Sequence, residues 1–131
     1  MNEIARQIQG LQHVGIPSTK MEESKRFYHL LGFEPVYETI NGNQAICFLR
    51  QGGLMLELYE VPEGAGRPGA IDHLALEVQD PEQVQVMLSA HGYEPLEGGV
   101  KSLPFWKNGI RYFTVMGPNG EKIEFASHAE E

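Results

Sequence analysis

The stretch Gln12-His13-Val14-Gly15-Ile16 recurs further along the chain as Asp72-His73-Leu74-Ala75-Leu76. The interval between the two histidines also separates Gly32-Phe33-Glu34-Pro35 from Gly92-Tyr93-Glu94-Pro95. A fixed internal period indicates one supersecondary unit that is used more than once. The sequence therefore predicts two copies of one module, related by an approximate two-fold axis.

Each copy has the pattern of a βαβββ module. The first copy covers residues 10–61 and the second covers 70–127, and a segment rich in Gly and Pro at 62–69 joins them. We expect an α+β fold in which residues 1–131 form a single domain. The expected strands are 11–16, 33–40, 44–50 and 54–61 in the first copy, and 71–78, 93–96, 109–116 and 121–127 in the second.

The helix of each copy has its own start pattern. Thr19-Lys20-Met21-Glu22 has the spacing of a capping box, in which side chains at both ends satisfy free backbone N–H groups. In the second copy, Asp80 followed by Pro81 predicts an N-cap and a proline at the first helical position. Residues 97–108 predict an irregular loop, and its Phe105 and Trp106 are either core residues or part of a lid over a substrate.

The last strand of each copy carries a glutamate between apolar residues, Glu57 in one and Glu124 in the other. Because side chains alternate across a strand, each glutamate lies on the face opposite its apolar neighbours. His13 and His73 likewise lie out of phase with the apolar residues of their strands. We expect all four side chains to lie away from the helices and to point into one concave surface.

Imidazole and carboxylate ligands together suit Zn²⁺, Ni²⁺, Co²⁺, Mn²⁺ or Fe²⁺. Four such ligands leave two octahedral positions open for water or for substrate oxygens, and open positions are typical of catalytic metal sites. The sequence therefore predicts a metal site formed by His13, Glu57, His73 and Glu124. For any one of them alone, an ordinary half-buried polar residue is the simpler interpretation.

Composition excludes several other classes of function. The net charge of −8 argues against a nucleic-acid surface and against attraction to anionic membranes. The sequence contains no apolar run long enough to cross a bilayer and no secretory signal pattern at its start. Cys47 is the single cysteine, which fits a reducing compartment. We expect a cytoplasmic protein that acts on a small molecule and binds neither nucleic acid nor membrane.

These motifs resemble the vicinal oxygen chelate superfamily, which includes glyoxalase I, methylmalonyl-CoA epimerase, fosfomycin-modifying enzymes and extradiol dioxygenases. Besides the histidine motifs, the resemblance is most specific at Ser24-Lys25-Arg26-Phe27-Tyr28 and at 117–125. It implies paired modules that form an open barrel around one divalent metal ion, in a homodimer. The four ligand positions of the glyoxalase I and epimerase branches are matched by His13, Glu57, His73 and Glu124.

The resemblance implies a lyase or isomerase of the glyoxalase I (lactoylglutathione lyase) type, with Zn²⁺ or Ni²⁺ as the metal and Co²⁺ or Mn²⁺ as alternatives. A metal that polarises a carbonyl acidifies the adjacent C–H, and a glutamate then moves the proton through an enediolate. Glu124 is the expected principal base, with Glu57 as a ligand or as the base for the opposite face. The alternatives are an acyl-CoA epimerase and a non-catalytic protein that binds an antibiotic.

Three positions depart from the patterns of these branches. Pro17 stands where bacterial glyoxalase I usually has an arginine that contacts glutathione, and Val61 replaces an asparagine that often follows the second ligand. The additional acidic base of the epimerases aligns near Cys47. The sequence therefore leaves open the substrate and its thiol, the metal, which glutamate is the base, and whether one chain or two chains form the site.

Overall fold

The computed structural model describes residues 3–128 of the 131-residue chain. The chain divides into two compact units, Met1–Gly64 and Ala65–Glu131. The division falls within the segment 62–69 that the sequence marks as a linker. That both modules form a single domain stays a prediction.

The first unit begins with a short helix and continues as a βαβββ module. Its sheet has the strand order β1-β4-β3-β2, in which β1 and β4 are parallel and the other pairs are antiparallel. The elements are α1 (Glu3–Gln7), β1 (Val14–Ser18), α2 (Met21–Leu30), β2 (Glu34–Asn41), β3 (Gln44–Gln51) and β4 (Leu54–Glu60).

The second unit repeats this architecture. Its strand order is β5-β8-β7-β6, again with the first and last strands parallel and adjacent. The predicted α+β class and the two βαβββ modules are confirmed, and each module has an open sheet of four strands. The elements are β5 (His73–Glu77), α3 (Pro81–Ala90), β6 (Lys101–Leu103), β7 (Ile110–Met116) and β8 (Lys122–His128).

Each module buries one face of its sheet against its helix. In the first unit α2 packs on β4, and Leu56 and Leu58 of β4 are fully buried. In the second unit α3 contacts β7 and β8, and Ile123 and Phe125 of β8 are buried. Because side chains alternate, the glutamate between each buried pair lies on the face away from the helix, as the sequence predicts. No helix within residues 3–128 is long and apolar enough to cross a membrane.

The predicted capping box at the start of α2 is wrong. Lys20 is the N-cap residue, and its side chain makes no capping hydrogen bond. Instead the buried Ser18 hydroxyl accepts the N–H of Lys20 at 3.0 Å and bonds to the Ser24 hydroxyl at 2.8 Å. A serine hydroxyl can serve a nearby backbone N–H in this way and so replace the capping side chain.

The start of α3 agrees with the sequence. The Asp80 carboxylate accepts the backbone N–H of Gln83 at 3.2 Å, and Pro81 is the first residue of the helix. Proline suits this position because a backbone N–H at the first helical residue would have no partner within the helix.

The predicted strand at 93–96 is also wrong. The backbone from 91 to 100 forms turns and irregular structure, and the edge strand β6 lies within the segment expected to be an irregular loop. Leu96 donates its N–H to the Thr114 carbonyl at 2.8 Å, while the Glu97 carboxylate accepts the Thr114 N–H at 2.8 Å. These bonds take both backbone groups of Thr114, so strand pairing with β7 starts only at Lys101.

One strand boundary differs in a way that concerns the site. The strand predicted at 11–16 is β1, and it begins at Val14, so His13 directly precedes the strand. A tight hairpin joins β2 to β3, with Gly42 and Asn43 as the two turn residues. Gly42 has φ +66°, and a positive φ at the first turn residue is where a type II′ hairpin places glycine.

Candidate metal centre

The first candidate pair is formed by His13 and Glu57. Glu57 is at the centre of β4, and the parallel register with β1 places it beside Gly15, two residues after the histidine. The distance from His13 Nε2 to Glu57 Oε1 is 3.3 Å, and both side chains are partly exposed.

The second pair repeats this geometry. His73 is the first residue of β5, and Glu124 on β8 lies beside Ala75, the counterpart of Gly15. The distance from His73 Nε2 to Glu124 Oε1 is 3.4 Å, and both side chains are again partly exposed. Equivalent positions in the two repeats therefore form equivalent contacts.

The residue before each histidine forms a hydrogen bond with its second ring nitrogen, Nδ1. His13 Nδ1 bonds to the Gln12 side-chain oxygen at 2.8 Å, and His73 Nδ1 bonds to Asp72 Oδ2 at 2.9 Å. When Nδ1 carries the donated proton, Nε2 presents its lone pair, as in metal-ligating histidines. The sequence patterns predict no role for Gln12 or Asp72. The repeat interval, which relates them as it relates the histidines, could have identified them.

Two other histidines contact glutamates in a different way. His29 contacts Glu34 and His128 contacts Glu77, at 3.3 and 3.0 Å, but through Nδ1 in both cases. Only in the two candidate pairs, among these four contacts, does Nε2 face the carboxylate while a neighbouring side chain holds Nδ1. This arrangement distinguishes the candidate pairs from ordinary surface ion pairs.

The donor spacing of each pair fits a divalent transition metal. Two ligand atoms that each lie about 2.1 Å from one ion are roughly 3.0 Å apart at a right angle and roughly 3.4 Å apart at the tetrahedral angle. The observed spacings of 3.3 and 3.4 Å fall within this range. An imidazole nitrogen beside a carboxylate oxygen is also a donor set that suits such ions.

Each pair lies within its own unit. Within residues 3–128, no group of three or more His, Cys, Asp and Glu side chains is arranged to hold a metal ion. The structure therefore describes two equivalent pairs, and their combination into one four-ligand site stays a prediction.

A family model described as the Glyoxalase/Bleomycin resistance protein/Dioxygenase superfamily matches residues 10–125. The chain belongs to this superfamily. The matched range includes both candidate pairs and both residues that hold Nδ1. A comparison with functionally curated proteins gives no match.

Solved structures of the superfamily fold agree with this assignment. A glyoxalase family protein from Enterococcus faecalis is 25% identical, with a TM-score of 0.77 over 91% of this chain and 98% of that chain. The fosfomycin resistance protein FosX from Listeria monocytogenes, complexed with Mn(II) and sulfate, is 16% identical, with a TM-score of 0.71 over 93% and 94% of the two chains. An integron cassette protein from the Halifax Harbour sewage outfall metagenome is 24% identical, with a TM-score of 0.66 over 92% and 100%. The last two likenesses concern the fold alone.

The surroundings of the two pairs differ within this superfamily fold. Phe48 of β3 lies opposite Glu57, and its ring meets the His13 ring edge-on at 5.6 Å. At the equivalent position of the second unit, the nearly buried Thr114 lies opposite Glu124. The first pair therefore has an aromatic neighbour where the second has a hydroxyl. No sequence pattern predicts a role for Phe48.

The loop before β7 exposes its aromatic residues. Phe105 and Trp106 are 56% and 69% exposed, so the core alternative is wrong for both. Trp106 has φ +64°, an uncommon backbone conformation for a bulky residue, and its ring lies 5.9 Å from that of His128. The role of this loop as a lid over a substrate stays a prediction.

Cys47 lies on the helix-facing side of β3, away from the first candidate pair. It is fully buried, as expected for a small apolar residue, and burial raises its pKa to about 11. A thiol with such a pKa stays protonated at neutral pH and is a poor nucleophile.

Proposed function

We propose that this superfamily member is a metal-dependent lyase or isomerase of the glyoxalase I type. Its substrate would be a hydroxy-carbonyl compound such as a hemithioacetal, and the reaction would move a proton between neighbouring carbons. The observation that carries the proposal is the repeated pairing of a histidine Nε2 with a glutamate, with the histidine Nδ1 held by the preceding residue.

One divalent ion would be held jointly by His13, Glu57, His73 and Glu124. Zn²⁺ and Ni²⁺ are the proposed metals, with Co²⁺ and Mn²⁺ as alternatives, and all four accept imidazole and carboxylate ligands. When bound, the ion would polarise the substrate carbonyl and so acidify the adjacent C–H.

Glu124 is the proposed principal base. A proton shuttle needs a carboxylate that can take a proton from one carbon and return it to the next. Glu124 lies on the face of its sheet away from α3, and its neighbours across the two ladders, Ala75 and Thr114, have small side chains. Glu57 would serve as a ligand, or as the base for the opposite face of the substrate.

The structure gives one argument against the epimerase alternative. By the family resemblance, the additional acidic base of those enzymes aligns near Cys47, on the third strand. Here β3, Gln44–Gln51, carries neither Asp nor Glu. The side chain of β3 that lies opposite Glu57 is the apolar Phe48. An epimerase on this scaffold would need its second base from elsewhere.

A substrate screen of the metal-loaded protein tests the proposal. The panel would contain hemithioacetals of methylglyoxal with several thiols, 2-methyl acyl-CoA esters and antibiotics, with a Glu57→Gln, Glu124→Gln double variant as the control. We expect turnover of at least one hemithioacetal by the wild type and none by the control. Epimerisation of an acyl-CoA without hemithioacetal turnover would contradict the proposal, as would tight antibiotic binding without any turnover.

We also propose that the protein is a homodimer. The edge strand β2 is exposed along its whole length and carries the exposed apolar residues Val36, Tyr37 and Ile40. Such an edge favours association because its free backbone groups and apolar side chains can pair with another chain.

Light scattering at micromolar concentration should give twice the chain mass, and Ile40→Lys should shift the protein towards monomer. A wild type that is strictly monomeric would contradict this proposal.

A further inference from the structure

The two histidines differ in the charge of the group that holds them. Gln12 offers His13 a neutral amide oxygen, whereas Asp72 offers His73 a carboxylate. The Asp72 carboxylate is itself placed by Lys122, whose Nζ lies 3.6 Å from Oδ1. Lys122 is the residue opposite His73 in the β5–β8 ladder, so the sheet register fixes this arrangement.

A carboxylate and an amide act differently on an imidazole ligand. Both accept the Nδ1 proton and so direct Nε2 towards the glutamate. A hydrogen bond to an ionised acceptor is roughly twice as strong as one to a neutral acceptor, and it makes the imidazole a better electron donor. The histidines of the two pairs therefore have unequal support at Nδ1, and the stronger support is on the side of the proposed base.

We infer that Asp72 is a positioning residue that makes His73 the stronger of the two histidine ligands. This inference rests on the metal site of the proposed function and extends it. Glu124 must change its contacts when it takes and returns a proton. His73, held through Nδ1 by Asp72, keeps its orientation during that exchange because its support comes from a residue that does not take part in it.

Metal affinity measured by competition with a chromogenic chelator, using Co²⁺ or Zn²⁺, tests this role. Asp72→Asn keeps a side-chain oxygen but removes the charge, and it reproduces the chemistry that Gln12 has in the first unit. We expect about ten-fold weaker binding for Asp72→Asn and up to about 100-fold for Asp72→Ala, the range typical of residues that support a ligand. Because Asp72 is largely exposed, the melting temperature of the metal-free protein should stay unchanged.

Glu77→Gln is the matched control. It removes the same charge at the other end of β5, where Glu77 is the last residue and Asp72 directly precedes the first, but Glu77 contacts His128 and not His73. Its metal affinity should equal that of the wild type. An equal loss in Glu77→Gln and Asp72→Asn would overturn the inference, because it would show a general effect of charge. Wild-type affinity in Asp72→Ala would also overturn it.

His73→Ala separates this inference from the metal site itself. If His73→Ala loses the metal while Asp72→Ala retains it at full affinity, the site stands and only the role of Asp72 fails. If His73→Ala binds metal as tightly as the wild type, the proposed site fails and the role of Asp72 fails with it.

Discussion

Replacing Glu124 with glutamine, in protein whose metal has been restored, is expected to lower kcat by roughly 10²–10⁴-fold with little change in substrate affinity. Glutamine preserves the shape of the side chain and keeps an oxygen 3.4 Å from His73 Nε2. Its amide cannot act as the proton carrier, so the loss should fall on turnover rather than on binding. Steady-state kinetics on the substrate found in the screen would measure both.

Glu57→Gln is the matched control for this result. It makes the same chemical change at the equivalent position of the other repeat. We expect it to weaken metal binding while it keeps more turnover than Glu124→Gln. Near-normal turnover in Glu124→Gln with an inactive Glu57→Gln would exchange the two roles. Normal turnover in both variants would contradict a mechanism that depends on these carboxylates.

Removing the metal with a chelator is expected to abolish turnover, and adding back a divalent ion is expected to restore it. Polarisation of a carbonyl by a metal stabilises the transition state by several kcal/mol. A contribution of about 4 kcal/mol corresponds to roughly a thousand-fold in rate. The measurement is the initial rate before chelation, after chelation, and after stepwise addition of Zn²⁺, Ni²⁺, Co²⁺ or Mn²⁺.

The metal-free protein should remain folded, which separates loss of the ion from loss of structure. All four candidate ligands are partly exposed, whereas the buried cores consist of residues such as Leu56, Leu58, Ile123 and Phe125. Circular dichroism of the chelated protein should therefore match that of the untreated protein. Full turnover by a protein shown to contain no metal would contradict the proposed chemistry.

The features that the sequence predicts correctly depend on local periodicity. The repeat interval was enough to predict two βαβββ modules because equivalent segments adopt equivalent structures. Side-chain alternation was enough to place Glu57 and Glu124 on the faces away from the helices, because it depends only on the strand backbone. The N-cap at Asp80 was predictable for the same reason, since it involves a residue three positions away.

The features that the sequence misses depend on contacts between distant segments. The strand expected at 93–96 does not form because Thr114, far along the chain, bonds to Leu96 and Glu97. Likewise, the capping box at Thr19–Glu22 is replaced by the buried hydroxyl of Ser18, and burial is a property of the whole module. The hydrogen bonds that Gln12 and Asp72 form with His13 and His73 join neighbouring residues. Which ring nitrogen each of them binds becomes visible only in the folded chain.

The central claim is that one metal ion is shared by the two histidine–glutamate pairs. The most direct test is the metal content of wild type, His13→Ala and His73→Ala after purification without chelator, with His29→Ala as the control. His29 also contacts a glutamate at 3.3 Å, but through Nδ1. We expect close to one divalent ion per chain in wild type and in the control, and loss of most of it in both of the other variants. Wild-type metal content in His73→Ala or in His13→Ala would contradict a shared ion.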